Sequence, residues 1–224
     1  MEEIAHIRTD FPTKFGLPRQ SGLVDSLKGT IVFAPKYRDP NALRGIEGYS
    51  HLWLIWKFSE AVREEWSPTV RPPRLGGNTA MGVFATRAPY RPNPIGLSCV
   101  RLESVEYDTP DGPVLHVCGA DLMDGTPIYD VKPYLPYVDC HPEATGGFAH
   151  EVKDYAVEVD FPEELLAKIP EAKREALREI LAQDPRPGYK RSDSRPFGLS
   201  YAGFNVRFAV KDGTLTVAEV TEEK

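Results

Sequence analysis

The chain has 224 residues, 41% of them hydrophobic and 27% charged, with a formal net charge of −6; this is the balance expected of a soluble globular protein with one large or two small domains. The acidic sum excludes a global basic field for nucleic acid and leaves a local basic patch as the route to any RNA. Cys99, Cys118 and Cys140 lack CxxC spacing, which argues against a disulfide framework or structural zinc and for a reducing, cytoplasmic compartment, while the polar N-terminus and the shortness of every apolar run exclude a signal peptide and a membrane span.

In chain order, residues 3–8 and 30–34 read as strands. Between them FGLPRQSGLV is a turn-rich loop centred on Pro18, Arg19 and Gln20. Asp39-Pro40 can cap and open one helical turn. HLWLIWKF at 51–58 reads as a strand buried on both faces. Then comes RPPRLGGNTAMGVFATRAPYRPNPIGLS, from Arg71 to Ser98, whose apolar run 80–85 reads as another strand. Its prolines fix φ, remove donors and extend the residues before them, so Arg71 and Arg91 sit on stiff backbone. A pre-ordered guanidinium binds carboxylate or phosphate at a lower entropy cost. Segments 94–107 and 113–120 form a hairpin across DTPDG. DLMDGTP is a tight loop, followed by a strand at 128–131.

Strands with short loops and almost no helix predict a closed β-barrel or a related all-β fold. Residues 139–150 are Gly/Pro-rich, and beyond them the pattern changes. It predicts a strand over 152–161, a helix over 162–183 broken at Pro170, a loop DPRPGYKRSDSR, and a hairpin of 201–210 with 214–220 around Lys211-Asp212-Gly213. The expected fold is therefore mainly β: a small barrel over 1–140, a linker over 141–150, and a smaller α+β unit over 151–224.

There is no GxGxxG after a strand, no P-loop, no HExxH and no GxSxG, and the five histidines are scattered without metal-ligand spacing. No metal site is expected. Each remaining signal has a bland reading beside a functional one. Arg71, Arg74, Arg87 and Arg91 serve equally well as surface ion pairs. Asp121 and Asp124 bracket a turn, where an aspartate usually bonds its own backbone. His51 heads a strand and reads more simply as a structural histidine, and Pro18-Arg19-Gln20 alone as a loop.

Taken together, HLWLIWKF, the Arg71–Ser98 stretch, DLMDGTPIYDVKPYLPY, AQDPRPGYKR and FNVRF resemble the TrmO (TsaA/YaeB-like) family over nearly the whole chain, with TRAPYRPNPIG the most specific run. The resemblance implies a dimeric, β-barrel tRNA methyltransferase that uses S-adenosylmethionine. It implies N6-methylation of N6-threonylcarbamoyladenosine next to the anticodon of threonine tRNAs. It also implies the cofactor contacts: Pro18, Arg19 and Gln20; Ser59 and Glu60, where other members can have His-Gln; Arg87; Leu97; and Asp121, Leu122, Met123 and Asp124. Arg87 or Arg19 suits the cofactor's carboxylate, Asp121 or Asp124 its hydroxyl or amino groups, and Leu97, Leu122 and Met123 its adenine. The acceptor nitrogen must lose a proton, so a base would help; Asp124, Tyr129 and His51 are candidates, in that order. RNA contact is expected from Arg71, Arg74 and Arg91 near the site and from Arg186, Lys190 and Arg191 in the C-terminal loop, with Tyr189 or Tyr90 available to stack on a base. The rival readings are a non-catalytic RNA- or ligand-binding barrel and a small-molecule methyltransferase.

Overall fold

The structure is a computed structural model that describes residues 1–61, 65–75, 77–151, 155–187 and 195–223. Twelve strands are present among these residues: β1 (Ala5–Thr9), β2 (Lys28–Phe33), β3 (His51–Lys57), β4 (Thr69–Val70), β5 (Met81–Gly82), β6 (Ile95–Glu106), β7 (Val114–Cys118), β8 (Pro127–Pro133), β9 (Glu158–Asp160), β10 (Phe197–Tyr201), β11 (Phe204–Lys211) and β12 (Thr214–Glu222). The helices are α1 (Pro136–Asp139), α2 (Phe148–Glu151), α3 (Glu163–Leu166) and α4 (Glu171–Ala182), and short 3-10 turns fill several loops.

Six strands close into a barrel in the order β1-β2-β7-β6-β3-β8. Closure satisfies both edges and gives each strand one inward face. Thus β3 alternates, with Leu52, Leu54 and Trp56 buried inside and His51, Trp53, Ile55 and Lys57 half-exposed outside. The expectation that both its faces are buried is corrected by this closure. The outer tryptophan, Trp53, is still covered, because its indole donates to Asp139 Oδ2 at 3.0 Å and packs on Tyr134. Ile7, Ile31, Leu115, Val117 and Ile128 are among the residues that join them in the barrel core.

The run 80–85 is not one strand. Met81–Gly82 pairs with β4, and Val83–Ala85 turns as a 3-10 helix. The Val83 N–H to Pro68 O bond, at 2.9 Å, is the last in that register before the chain turns, and Phe84 faces solvent. Each side of the Pro170 break is helical, as the periodicity predicts. The last sheet has the order β10-β11-β12-β9, with β9 parallel to β12. Strand β10 lies beyond the expected hairpin and joins β11 through Ala202-Gly203, both at positive φ.

The second hydrophobic core lies between this sheet and α3 and α4, and it includes Phe11, Val24 and Leu27 from the β1–β2 connection. No helix among the described residues is long and apolar enough to cross a membrane.

Candidate functional site at one end of the barrel

Antiparallel pairing decides which loops meet. Thr9 pairs with Gly29, Lys28 with Cys118, Arg101 with His51, Lys57 with Ile95, and Trp56 with Ile128. The C-terminal ends of β1, β7 and β3 therefore share one barrel end with the N-terminal ends of β2, β6 and β8. Three connections project there: 10–27, 58–94 and 119–126. They carry Pro18-Arg19-Gln20, Ser59-Glu60, TRAPYRPNP and DLMDG. Motifs spread over a hundred residues converge because each follows or precedes a strand on the same rim.

A hydrogen-bonded chain runs through this rim. The buried Trp56 Nε1 donates to Ser98 Oγ at 2.9 Å, and Ser98 Oγ donates to Asp121 Oδ1 at 2.5 Å. Burial pushes the Asp121 carboxyl above the usual carboxylate range, against the pull of Ser98, its own backbone, the Arg87 charge and the Ser21 N–H. Arg87, exposed, donates through Nη1 to Gln20 Oε1. The Cys99 N–H donates to Ser21 Oγ at 3.1 Å, which holds the 10–27 connection against β6.

The inward ring depends on Gly96. A Cβ there would lie 2.2 Å from the Trp56 indole. We predict that Gly96→Ala displaces the indole from Ser98 and costs about 1–3 kcal/mol through overpacking. A shifted tryptophan emission maximum together with a lowered denaturant midpoint checks this; an unchanged spectrum contradicts it.

Pro18 is buried, and Gln20, Arg87, Asp121 and Ser98 form the connected group just described. Leu97 projects outward from β6 at 53% exposure, beside the inward Ser98. Ser59 and Glu60 lie exposed on the 3-10 turn Ser59–Ala61 after β3, and Phe58 N–H to Pro94 O, at 2.9 Å, closes the base of their loop. Leu122 faces the barrel core, so its side chain is a core group and its carbonyl, which accepts from Thr9 Oγ1, is the polar part it presents. Met123 is half-buried. The Asp124 carboxylate accepts the Thr9 N–H at 2.9 Å and its own N–H bonds Phe11 O, so it stitches the loop to β1.

Of the other base candidates, Tyr129 is the extra residue of a bulge opposite Ile55 and Trp56. His51 is at the opposite end of β3 from Ser59, outward-facing and bonded through Nδ1 to Ser50 Oγ at 2.9 Å. The structure does not bring it to this rim. A shallow cavity lined by Ile4, Phe33, Tyr37, Leu43 and Val131 also lies at that far end, away from the three rim loops.

Two RNA expectations change. Arg186 is only 3% exposed and forms a forked ion pair with Asp184, Nε to Oδ1 at 2.8 Å and Nη2 to Oδ2 at 3.0 Å. A guanidinium spent on a buried carboxylate is not a phosphate ligand. Arg91 points Nη1 back at Thr86 O, 2.9 Å, and Ala88 O, bracing its own loop. Arg71 is exposed on the proline-arginine loop. The Arg74 side chain, Tyr189, Lys190 and Arg191 lie outside the described residues.

These residues suit S-adenosylmethionine by their chemistry: a cation at Arg87 and a half-buried carboxylate at Asp121, with Leu97 as exposed apolar surface one residue from Ser98. The sequence alone did not single out Ser98, Ser21 and Trp56, although Ser98 and Trp56 stand inside the quoted motifs. An inward serine among inward apolar residues is visible only once the register of β6 is known.

Comparison with known proteins gives a consistent picture. The family model for the tRNA-methyltransferase O N-terminal domain matches residues 6–140, and the model for the TrmO C-terminal domain matches 154–223. The chain is 41% identical over 226 residues to the Escherichia coli (strain K12) protein named tRNA (adenine(37)-N6)-methyltransferase, covering 96% of this chain and 95% of that one. It is 40% identical over 204 residues to a Pseudomonas aeruginosa protein named "Putative S-adenosylmethionine-dependent methyltransferase RcsF", covering 88% and 86%. A crystal structure of TrmO from Pseudomonas aeruginosa superposes with a TM-score of 0.77 at 34% identity, covering 98% of this chain and 97% of that one.

Proposed function

This chain belongs to the tRNA-methyltransferase O family, and on that premise we propose that the three-loop rim binds S-adenosylmethionine and methylates N6 of adenine 37 in tRNA. The observation that carries the proposal is the Gln20–Arg87–Asp121–Ser98 group, which joins all three loops at one barrel end. The finer reading is that the accepted base is N6-threonylcarbamoyladenosine in threonine tRNAs.

S-adenosylmethionine supplies an electrophilic methyl group on its sulfonium. Arg87 supplies a fixed cation for a carboxylate, steadied by Gln20. Asp121 accepts from hydroxyl or ammonium groups, and its own hydrogen bonds keep it aimed. Pro18, Arg19, Ser59, Glu60, Leu97, Leu122, Met123 and Asp124 line or shape the surround, Leu122 and Asp124 by backbone and loop geometry. Most of the rate gain such a site can offer comes from holding two reactants in line, which rewards a stiff proline-rich frame. Arg71 beside the rim and Lys190 and Arg191 in the C-terminal loop are the proposed phosphate contacts. The test is titration of S-adenosylmethionine into Arg87→Ala. Loss of a charge-assisted contact should weaken binding by about 10- to 100-fold, with the fold intact; normal affinity removes Arg87 from the site.

We also propose that the protein works as a homodimer in the cytoplasm. The dimer half is supported by an apolar pair that one chain leaves bare: Phe84, 71% exposed, is stacked on Trp66, itself 52% exposed. Such patches on soluble proteins mark interaction sites. Sedimentation should give twice the 25.0 kDa chain mass, and Phe84→Glu should return it to a monomer; a wild-type monomer contradicts the proposal.

A further inference from the structure

The 10–27 connection is long, irregular and carries three of the proposed cofactor contacts, so something must supply the order its backbone lacks. Its bonds to the barrel and the other rim loops are made at Phe11 and from Gln20 onward, where Gln20 Oε1 accepts from Arg87. Phe11 O accepts from Asp124, Ser21 Oγ from Cys99, Gly22 N–H donates to Gly119 O, and Leu27 O accepts from Gly119. Its middle rests on the C-terminal unit instead. Phe15 stacks on Phe197 at 6.4 Å. Gly16 has φ +91°, and a Cβ there would lie 2.1 Å from Leu199 Cδ1. Arg19 Nη2 donates to Asp184 O at 3.5 Å. The flanks are tied to the same unit, since Asp10 bonds Lys173 and accepts the Ala202 N–H through its carbonyl, and Ser26 donates to Glu179.

Asp184 is built for this position. It follows α4 in the left-handed region, φ 49°, which an aspartate tolerates better than most side chains. That conformation is fixed by the buried fork to Arg186 and by Tyr155 Oη donating to Oδ2 at 2.8 Å. Residues in rare backbone regions persist only where their surroundings over-determine them, and here the Asp184 carbonyl is the group that meets Arg19.

We propose that the C-terminal unit is a working part of the cofactor site: through Asp184, Leu199, Lys173 and Glu179 it holds the 10–27 strap so that Gln20 and Ser21 meet Arg87 and Asp121. The inference rests on the cofactor reading given above and assigns positioning roles, not catalytic ones. It makes cofactor affinity sensitive to residues more than a hundred positions away in sequence, and it couples whatever the C-terminal unit binds to the cofactor loop.

The test uses the full chain with Ser26→Ala combined with Lys173→Met, which cut the strap's polar ties without opening the core, and Gly16→Ala, which pushes the strap off Leu199. Arg207→Met, which breaks the exposed Arg207–Glu219 pair on the same sheet, is the control. Two readouts are taken: amide hydrogen exchange of residues 15–22, and the dissociation constant for S-adenosylmethionine beside kcat at saturating cofactor. The strap variants should lose protection in 15–22 and bind about tenfold more weakly, as expected when a loop must be ordered on binding, with kcat little changed and the control unaffected. Unchanged protection in both strap variants overturns the inference. So does lost protection with unchanged affinity, since the strap would then be held without serving the site. If the wild-type chain itself fails to bind S-adenosylmethionine, the cofactor reading fails, and the exchange readout still decides whether the C-terminal unit orders the strap.

Discussion

Replacing Arg186 by alanine should destabilise the protein by about 3–5 kcal/mol, because it strands the Asp184 carboxylate in a site where neither partner reaches solvent. Arg186 and Asp184 are 3% and 0% exposed. Burial pushes the Asp184 carboxyl up, and the Arg186 and Tyr155 hydrogen bonds outweigh it, so its pKa lies below the usual value. A depressed folded-state pKa adds stability above the unfolded carboxylate value that disappears as pH falls through the folded one. The variant should therefore lose most near neutral pH and least in acid. Denaturant melts at several pH values read this directly. Were Arg186 a phosphate contact, the melt would be unchanged and only the apparent KM for tRNA would rise.

Asp121→Asn should have the opposite sign on stability and a large cost in binding. The Asp121 carboxyl is pushed up by burial. An elevated folded-state pKa means the native state binds its proton more tightly than the unfolded chain does. Stability then falls as pH rises from the unfolded carboxylate value through the folded one. Asparagine keeps an oxygen for the Ser98 hydroxyl and has no charge to bury. The variant should melt higher than wild type at pH 8 and match it near pH 3. Its affinity for S-adenosylmethionine should drop by about 10- to 100-fold, the worth of charged hydrogen bonds. A variant with equal melts at both pH values, or with full affinity, would take Asp121 out of the site. If instead the variant melts higher and binds more weakly, the carboxylate is kept at a stability cost for the sake of binding, a trade common at functional sites.

The sequence made some of this legible and hid the rest for definite reasons. Lys211-Asp212-Gly213 announces its hairpin because Asp-Gly is the usual pair for two positive φ angles; Ala202-Gly203 makes a similar turn with an alanine, and β10 went unseen. The β6–β7 hairpin and the helix break at Pro170 are local and were readable. Barrel order is not, since the pairing of β1 with β8 and of β3 with β8 joins residues far apart in sequence. His51 looked available because nothing in a sequence says at which barrel end a strand begins. Arg186 looked like a surface cation because DPRPGYKR reads as a basic loop; its partner two residues earlier becomes visible only when Asp184 turns left-handed. The strap residues Phe11, Val24 and Leu27 read as part of the first unit and pack in the core of the second.

The most direct test of the account is transfer of labelled methyl from S-adenosylmethionine to two tRNA pools, one carrying N6-threonylcarbamoyladenosine and one lacking it, followed by mapping of the label. The account predicts label at adenine 37 in the first pool alone, strongly reduced by Arg87→Ala at limiting cofactor. No label in either pool, from a protein that still binds the cofactor, would contradict it and leave a binding barrel with no transfer to tRNA.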